Sequence, residues 1–126
     1  MYHTNESAEN YLETILLLSK TRPVVRSVDI AEELGFKKSS VSVAMKNLRQ
    51  KEQITVTKEG FIYLTDSGKE IAERIYERHE LLTSWLTALG VDSKIAAEDA
   101  CKMEHVISKQ SFEAIKQHVQ KNLALK

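Results

Sequence analysis

Cys101, Glu104 and His105 stand at i, i+3 and i+4 within the stretch Ala100-Cys101-Lys102-Met103-Glu104-His105-Val106. On a helix that spacing gathers a thiol, a carboxylate and an imidazole on one face, with Cβ atoms about 5–6 Å apart. Donors of these three kinds suit a transition-metal ion. The competing reading is a small buried hydrophobe at Cys101 beside a solvated Glu-His pair. Three other side chains could join such chemistry. Asn10 and Glu13 are three apart, share a helix face and can offer oxygen ligands; taken alone they read as surface polarity. His79 lies three residues before Leu82 and seven before Leu86, so it faces inward, and alone it reads as a core histidine with a satisfied ring.

The elements that must position these residues are helical. The 126-residue chain is 42% hydrophobic and holds one Pro and four Gly, which favours long uninterrupted helices. Its single Cys excludes an intramolecular disulfide and fits a reducing compartment. The N-terminal residues are polar, without the apolar centre of a signal peptide. No apolar run reaches the roughly 18 residues of a membrane span. A soluble, cytoplasmic protein with no membrane partner is expected. Formal net charge is zero, yet the segment 20–58 carries nine basic and four acidic residues, a local excess of +5 balanced by acid elsewhere. Such asymmetry is the footprint of a nucleic-acid-binding half joined to something else.

Taken in order, residues 5–20 form a first helix, capped by Asn5 or Ser7, with Leu12, Ile15 and Leu16 as its apolar stripe. Pro23 ends it, and Val24-Val25 reads as a short strand. A second helix runs from a Ser27 cap to Leu34 and stops at Gly35. A third, residues 38–52, buries Val41, Met45 and Leu48. Its other face presents Ser39, Ser40, Ser42, Val43, Lys46 and Arg49, with Lys37 and Lys38 at its start. Short hydroxyls and basic side chains at a helix N-terminus suit phosphate contact and base-edge readout. Helix, short turn and basic helix make a helix-turn-helix. Two β-branched or aromatic runs around Lys58-Glu59-Gly60 add a hairpin, and so a wing. A long fourth helix from Thr65 to about Leu89, a fifth with the Cys-x-x-Glu-His motif and a sixth capped by Ser108 or Ser111 follow. Their apolar surface exceeds what one small core can cover and reads as a dimer interface. The fold class is therefore mainly α: an N-terminal winged helix-turn-helix (residues 1–65) followed by a helical metal-binding and dimerisation domain (66–126).

The order of these motifs resembles the metal-dependent repressors of the diphtheria toxin repressor and manganese transport regulator type. The resemblance is carried by Glu9-Asn10-Tyr11-Leu12-Glu13-Thr14-Ile15, Val28-Asp29-Ile30-Ala31-Glu32-Glu33-Leu34, Ser39-Ser40-Val41-Ser42, Leu64-Thr65-Asp66-Ser67-Gly68, Arg78-His79-Glu80-Leu81-Leu82 and the Cys101 stretch. Iron-type members carry a further SH3-like domain; in length this chain is similar to the manganese regulators. The resemblance implies a metal site from Asn10, Glu13, His79, Cys101, Glu104 and His105. Asn10 stands where relatives have Met or Asp, and Cys101 where manganese-type members have Glu. Thr83 and Ala97 occupy two positions of the iron-type ancillary site, which is then absent in its usual form. A thiolate favours softer or later ions over Mn²⁺. Fe²⁺ is the first expectation and Mn²⁺ the next, with Co²⁺, Ni²⁺ or Zn²⁺ also compatible.

The function expected is a homodimeric repressor that binds a double-stranded operator when a divalent metal is bound and so controls metal-uptake genes. It is not an enzyme and takes no small organic substrate. Lys37, Lys38, Arg49 and Lys58 would meet phosphate, and Ser39, Ser40, Ser42, Val43 and Lys46 the groove. The metal would select the state whose recognition helices fit half-sites about 34–36 Å apart. Two rival readings stay open: a winged-helix regulator with a structural metal or none, and a metalloenzyme built on the Cys/Glu/His cluster.

Overall fold

The computed structural model describes residues 7–122. It forms six helices and one two-stranded sheet: α1 (Ala8–Thr21), α2 (Ser27–Leu34), α3 (Lys38–Gln50), β1 (Ile54–Val56), β2 (Ile62–Leu64), α4 (Asp66–Ala88), α5 (Ser93–Met103) and α6 (Lys109–Asn122). Two compact units divide inside α4, the first reaching Arg74 and the second starting at Ile75. Among the described residues, no helix is long and apolar enough to cross a membrane.

In the first unit α1 is the central helix. Tyr11, Leu12, Ile15, Leu16 and Leu18 are buried, and α1 packs on α2, α3 and β2. Ser7 caps it, its hydroxyl accepting from the Asn10 N–H at 3.1 Å; the other expected cap, Asn5, lies outside the described residues. Gly35 ends α2 at φ 70°, the left-handed conformation that glycine adopts without a Cβ penalty. Phe36, just past it, packs edge-on against Tyr11 with ring centroids 6.1 Å apart. Val41, Met45 and Leu48 put the inner face of α3 into the same core. The wing is antiparallel, with Ile54 opposite Leu64 and Val56 opposite Ile62.

Three local expectations change. Val24-Val25 forms no strand. Pro23 has no N–H, α2 begins two residues after Val25, and only the Val25 carbonyl meets the sheet, accepting from the Ile62 N–H at 2.8 Å. Ser27 is the first residue of α2, not its cap. Arg26 holds the cap position, and the Asp29 carboxylate accepts from its N–H at 2.9 Å. The third helix ends at Gln50, two residues early, because Glu52 turns to φ 59° and the Gln53 N–H returns to the Leu48 carbonyl at 3.0 Å.

The second unit is built from most of α4 with α5 and α6. Leu82, Ala100 and Phe112 form its buried centre, flanked by Leu81, Trp85, Met103, Ile107 and Ile115. Asp92 caps α5 by accepting from the Lys94 and Ile95 N–H groups. Ser108 rather than Ser111 caps α6, accepting from the Ser111 N–H at 3.0 Å. Leu89, expected as the end of the fourth helix, lies one residue past it and is exposed.

The wing and the start of α4 are stitched together. The Thr65 hydroxyl donates to the Glu52 carbonyl at 2.8 Å and accepts from the Gly68 N–H at 3.2 Å. A Cβ on Gly68 would fall on the Gln53 carbonyl oxygen, backbone that cannot yield. Gly68→Ala is therefore expected to cost upward of about 2 kcal/mol. Gly60→Ala, at φ 87° in open space, should cost about 1 kcal/mol. Denaturant midpoints followed by circular dichroism separate the two; equal midpoints would contradict the packing.

Candidate metal centre and DNA-contact face

Cys101 and Glu104 lie on the buried face of α5 with Ala97 and Ala100, at i, i+3, i+4 and i+7, the spacing of one helix side. The helix ends at Met103, so Glu104 is its cap residue, with its N–H still bonded to the Ala100 carbonyl at 3.0 Å. His105 therefore sits on the following turn rather than on the helix the motif suggested. No Gly or Pro marks this stop. The Val106 and Ile107 N–H groups both return to the Met103 carbonyl, and the Ser108 cap begins α6.

Glu104 is the focus of the cluster. Its side chain is 0% exposed. His79 Nδ1, reaching from α4, lies 3.1 Å from Oε2, and His105 Nε2 lies 3.2 Å from Oε1. The imidazoles are themselves mostly covered. Burial of this carboxyl raises its pKa, but the side-chain contacts of His105 and then His79, with their charges, outweigh burial and hold it below its ordinary value. Glu104 is thus a ready anion enclosed by two bases. Imidazole and carboxylate are groups for which protons and metal ions compete in general.

Asn10 and Glu13 belong to α1 in the first unit and are each 1% exposed, so neither is surface polarity. Glu98 is exposed, as solvent-facing acids usually are. Among the described residues, no three His, Cys, Asp or Glu side chains are drawn around one ion-sized point. His79, Glu104 and His105 touch through the carboxylate instead. In donor chemistry the set fits a divalent ion: two imidazoles, a buried carboxylate, and a buried thiol one turn earlier.

On α3, Lys37, Lys38, Ser39, Ser42, Lys46 and Arg49 are exposed, as is Lys58 at the wing tip. Ser40 is half-buried, lining with Tyr11, Val43, Ala44 and Asn47 an open cleft of about 380 Å³. Val43 is 61% exposed, an apolar contact in a polar face. The α3 N-terminus has neither a side-chain cap nor an acid in its first turn. Every other described helix has one or the other. Its positive pole is left open to an anion.

Residues 3–60 match the family model of the iron dependent repressor N-terminal DNA binding domain, and residues 65–122 that of the iron dependent repressor metal binding and dimerisation domain. The chain belongs to the iron-dependent repressor family. It is 36% identical over 117 residues to the HTH-type transcriptional regulator MntR of Bacillus subtilis (strain 168), covering 93% of this chain and 82% of that protein. Transcriptional regulator MntR of Escherichia coli O157:H7 is 32% identical over 120 residues, 95% of this chain and 77% of that one. The fold is similar to a manganese-dependent transcriptional repressor in complex with manganese (TM-score 0.82, 26% identity, 90% of this chain and 52% of that one). It is also similar to ScaR with bound Zn²⁺ (TM-score 0.77, 25% identity, 91% and 54%). The chain spans about half the length of these solved relatives.

Sequence reasoning about this family member missed Arg78. It is a half-buried guanidinium beside His79 that donates from Nη1 to the Glu104 and Ile107 carbonyls, each at 3.1 Å. Nothing in composition or periodicity marks it, since arginines at half-apolar positions of long helices usually reach solvent. It also missed Tyr63, 46% exposed on β2 of the wing.

A carboxyl held below its ordinary pKa stabilises the fold above about pH 4.3, the unfolded value, and that contribution is lost as pH falls through the folded value. In metal-free protein, Glu104→Gln should therefore lose stability less steeply on acidification below about pH 4.3 than wild type. Chemical denaturation at stepped pH checks this, and parallel curves would contradict the contacts drawn for Glu104.

Proposed function

We propose that this chain is a homodimeric, metal-dependent winged-helix repressor that binds a double-stranded operator when a divalent transition metal is bound, and that it controls metal-uptake genes in the cytoplasm. The observation that carries the reading is the fully buried Glu104 carboxylate between His79 and His105. A cluster whose role was only structural would gain little from burying an ionised group among bases, since apolar side chains of similar volume pack there at least as favourably.

His79, Cys101, Glu104 and His105 would hold the ion, and the family resemblance adds Glu13 and Asn10 of α1. The ion supplies a fixed double charge that these ligands enclose. Glu104 contributes its charge without first losing a proton at neutral pH, and the histidines bind as neutral imidazoles, so acid weakens the site. On the DNA side, Lys37, Lys38, Arg49 and Lys58 neutralise phosphates, the open α3 N-terminus receives another, and Ser39, Ser40, Ser42, Val43 and Lys46 face base edges. Leu89, Ile95 and Val106, all exposed on the second unit, offer apolar surface to a second copy. Metal binding selects, from the ensemble of the dimer, the state whose two recognition helices fit successive half-sites. No side chain here is assigned a catalytic role.

Fe²⁺ is the ion proposed. The relatives are named for manganese, but Cys101 replaces an oxygen donor by sulfur, and thiolate favours Fe²⁺ and later ions over Mn²⁺. Cys101→Glu should accordingly move the preference toward Mn²⁺. Anaerobic fluorescence anisotropy on an operator fragment tests both parts. Affinity should fall roughly 5- to 150-fold on chelation, the usual range of such coupling, and recover at lower Fe²⁺ than Mn²⁺. Glu104→Ala should abolish the metal response. Lys46→Ala should weaken binding whether or not metal is present. Equal affinity with and without metal would leave a plain winged-helix DNA binder, and unfolding on chelation would mean a structural ion.

A further inference from the structure

We propose that Arg78 is the positioning residue of the metal centre: it fixes the main chain of the Glu104–Ile107 turn and thereby sets where Glu104 and His105 present their donors. This rests on the metal reading above.

Carbonyls in the turn that follows a helix have no partner within it and must find one elsewhere. Here a single guanidinium nitrogen, Arg78 Nη1, takes the Glu104 carbonyl and the Ile107 carbonyl, each at 3.1 Å. The two acceptors bracket the turn. With both ends held, and with the Val106 and Ile107 N–H groups returned to Met103 at 3.1 Å each, the dihedrals of Glu104, His105 and Val106 have little freedom. The guanidinium also lies over the Phe112 ring, 5.2 Å from its centroid, so α6 fixes the arginine in turn. Phe112 belongs to the buried centre of the unit. The arginine is thus anchored at its base by α4, at its face by α6 and at its tip by the turn.

Consecutive residues of α4 therefore hold the two halves of one residue. Arg78 binds the Glu104 main chain and His79 binds the Glu104 carboxylate. A guanidinium suits the first task, because it stays charged at any working pH and its planar head can donate and stack at once. It also places positive charge at the C-terminal, negative pole of α5. A glycine stop would end the helix as well, but it would leave the turn supple. The arginine makes a rigid one.

The test uses the full chain, with Mn²⁺ and anaerobic Fe²⁺ as probes. Arg78→Met keeps length and apolar contact with Phe112 but has no donor. It should stay folded by circular dichroism and weaken metal affinity roughly 10- to 100-fold, the range for lost supporting partners of ligands. Arg78→Lys, which restores a charged donor without the planar head, should fall between Met and wild type. In metal-free protein, ¹⁵N–¹H amide signals of residues 104–107 should move in Arg78→Met, with faster hydrogen exchange. Metal affinity of a folded Arg78→Met within twofold of wild type would overturn the proposal, as would unmoved amides. If Arg78→Met does not fold, Arg78→Lys carries both readouts, and wild-type affinity with wild-type amides in it would count against the proposal. If wild type and Glu104→Ala bind metal alike, the metal reading itself has failed; the metal-free amide signals then still decide whether Arg78 sets the turn.

Discussion

A carboxylate without solvent exposure dominates the second unit. Moving an ionised carboxyl out of water costs several kcal/mol even after the surroundings relax, and Glu104 is kept ionised there by His105 and His79. Everything nearby serves that arrangement. Ala97, Ala100 and Cys101 are buried on the same side of α5 as Glu104. The helix stops one residue before Glu104, which turns His105 back toward the same carboxylate. Arg78 holds the carbonyls where the helix stops.

The first unit solves a different problem. Its α1 encloses Asn10 and Glu13, while its α3 leaves polar groups open. α3 buries Val41, Met45 and Leu48 and keeps Lys37, Lys38, Ser39, Ser42, Lys46 and Arg49 outside. The missing cap at its N-terminus would be a defect in a helix with no partner, worth roughly 1 kcal/mol. Val43 is exposed in the same face.

Most of the architecture was legible because the chain states it locally. Gly35 stops α2, Ser108 starts α6, and the alternation around Lys58-Glu59-Gly60 gives the wing. The failures come partly from contacts distant in sequence and partly from local bonds that residue type alone does not single out. Val25 meets β2 through one carbonyl and cannot make a strand. Asp29, not Ser27, satisfies the start of α2. α5 stops at Met103 with no Gly or Pro, and the Glu104 and Ile107 carbonyls just past its end go to Arg78, 26 residues before Glu104. The candidate site was legible as donor types and spacing. The burial of Asn10 and Glu13 was not, since three-residue spacing on a helix is the same for a wet face and a dry one. Nor was the central place of Glu104, which depends on a histidine brought in from α4.

Glu104, His79 and His105 are proposed as the residues that hold the ion. X-ray absorption at the metal K-edge, recorded on protein loaded with one ion at a time, reads this directly. The outer-shell scattering of coordinated imidazole should be present in wild type, and should drop by about one ring in His79→Ala and again in His105→Ala, with a sulfur near about 2.3 Å for zinc that disappears in Cys101→Ala. Spectra identical across wild type and the two histidine variants would place the ion elsewhere and contradict the account.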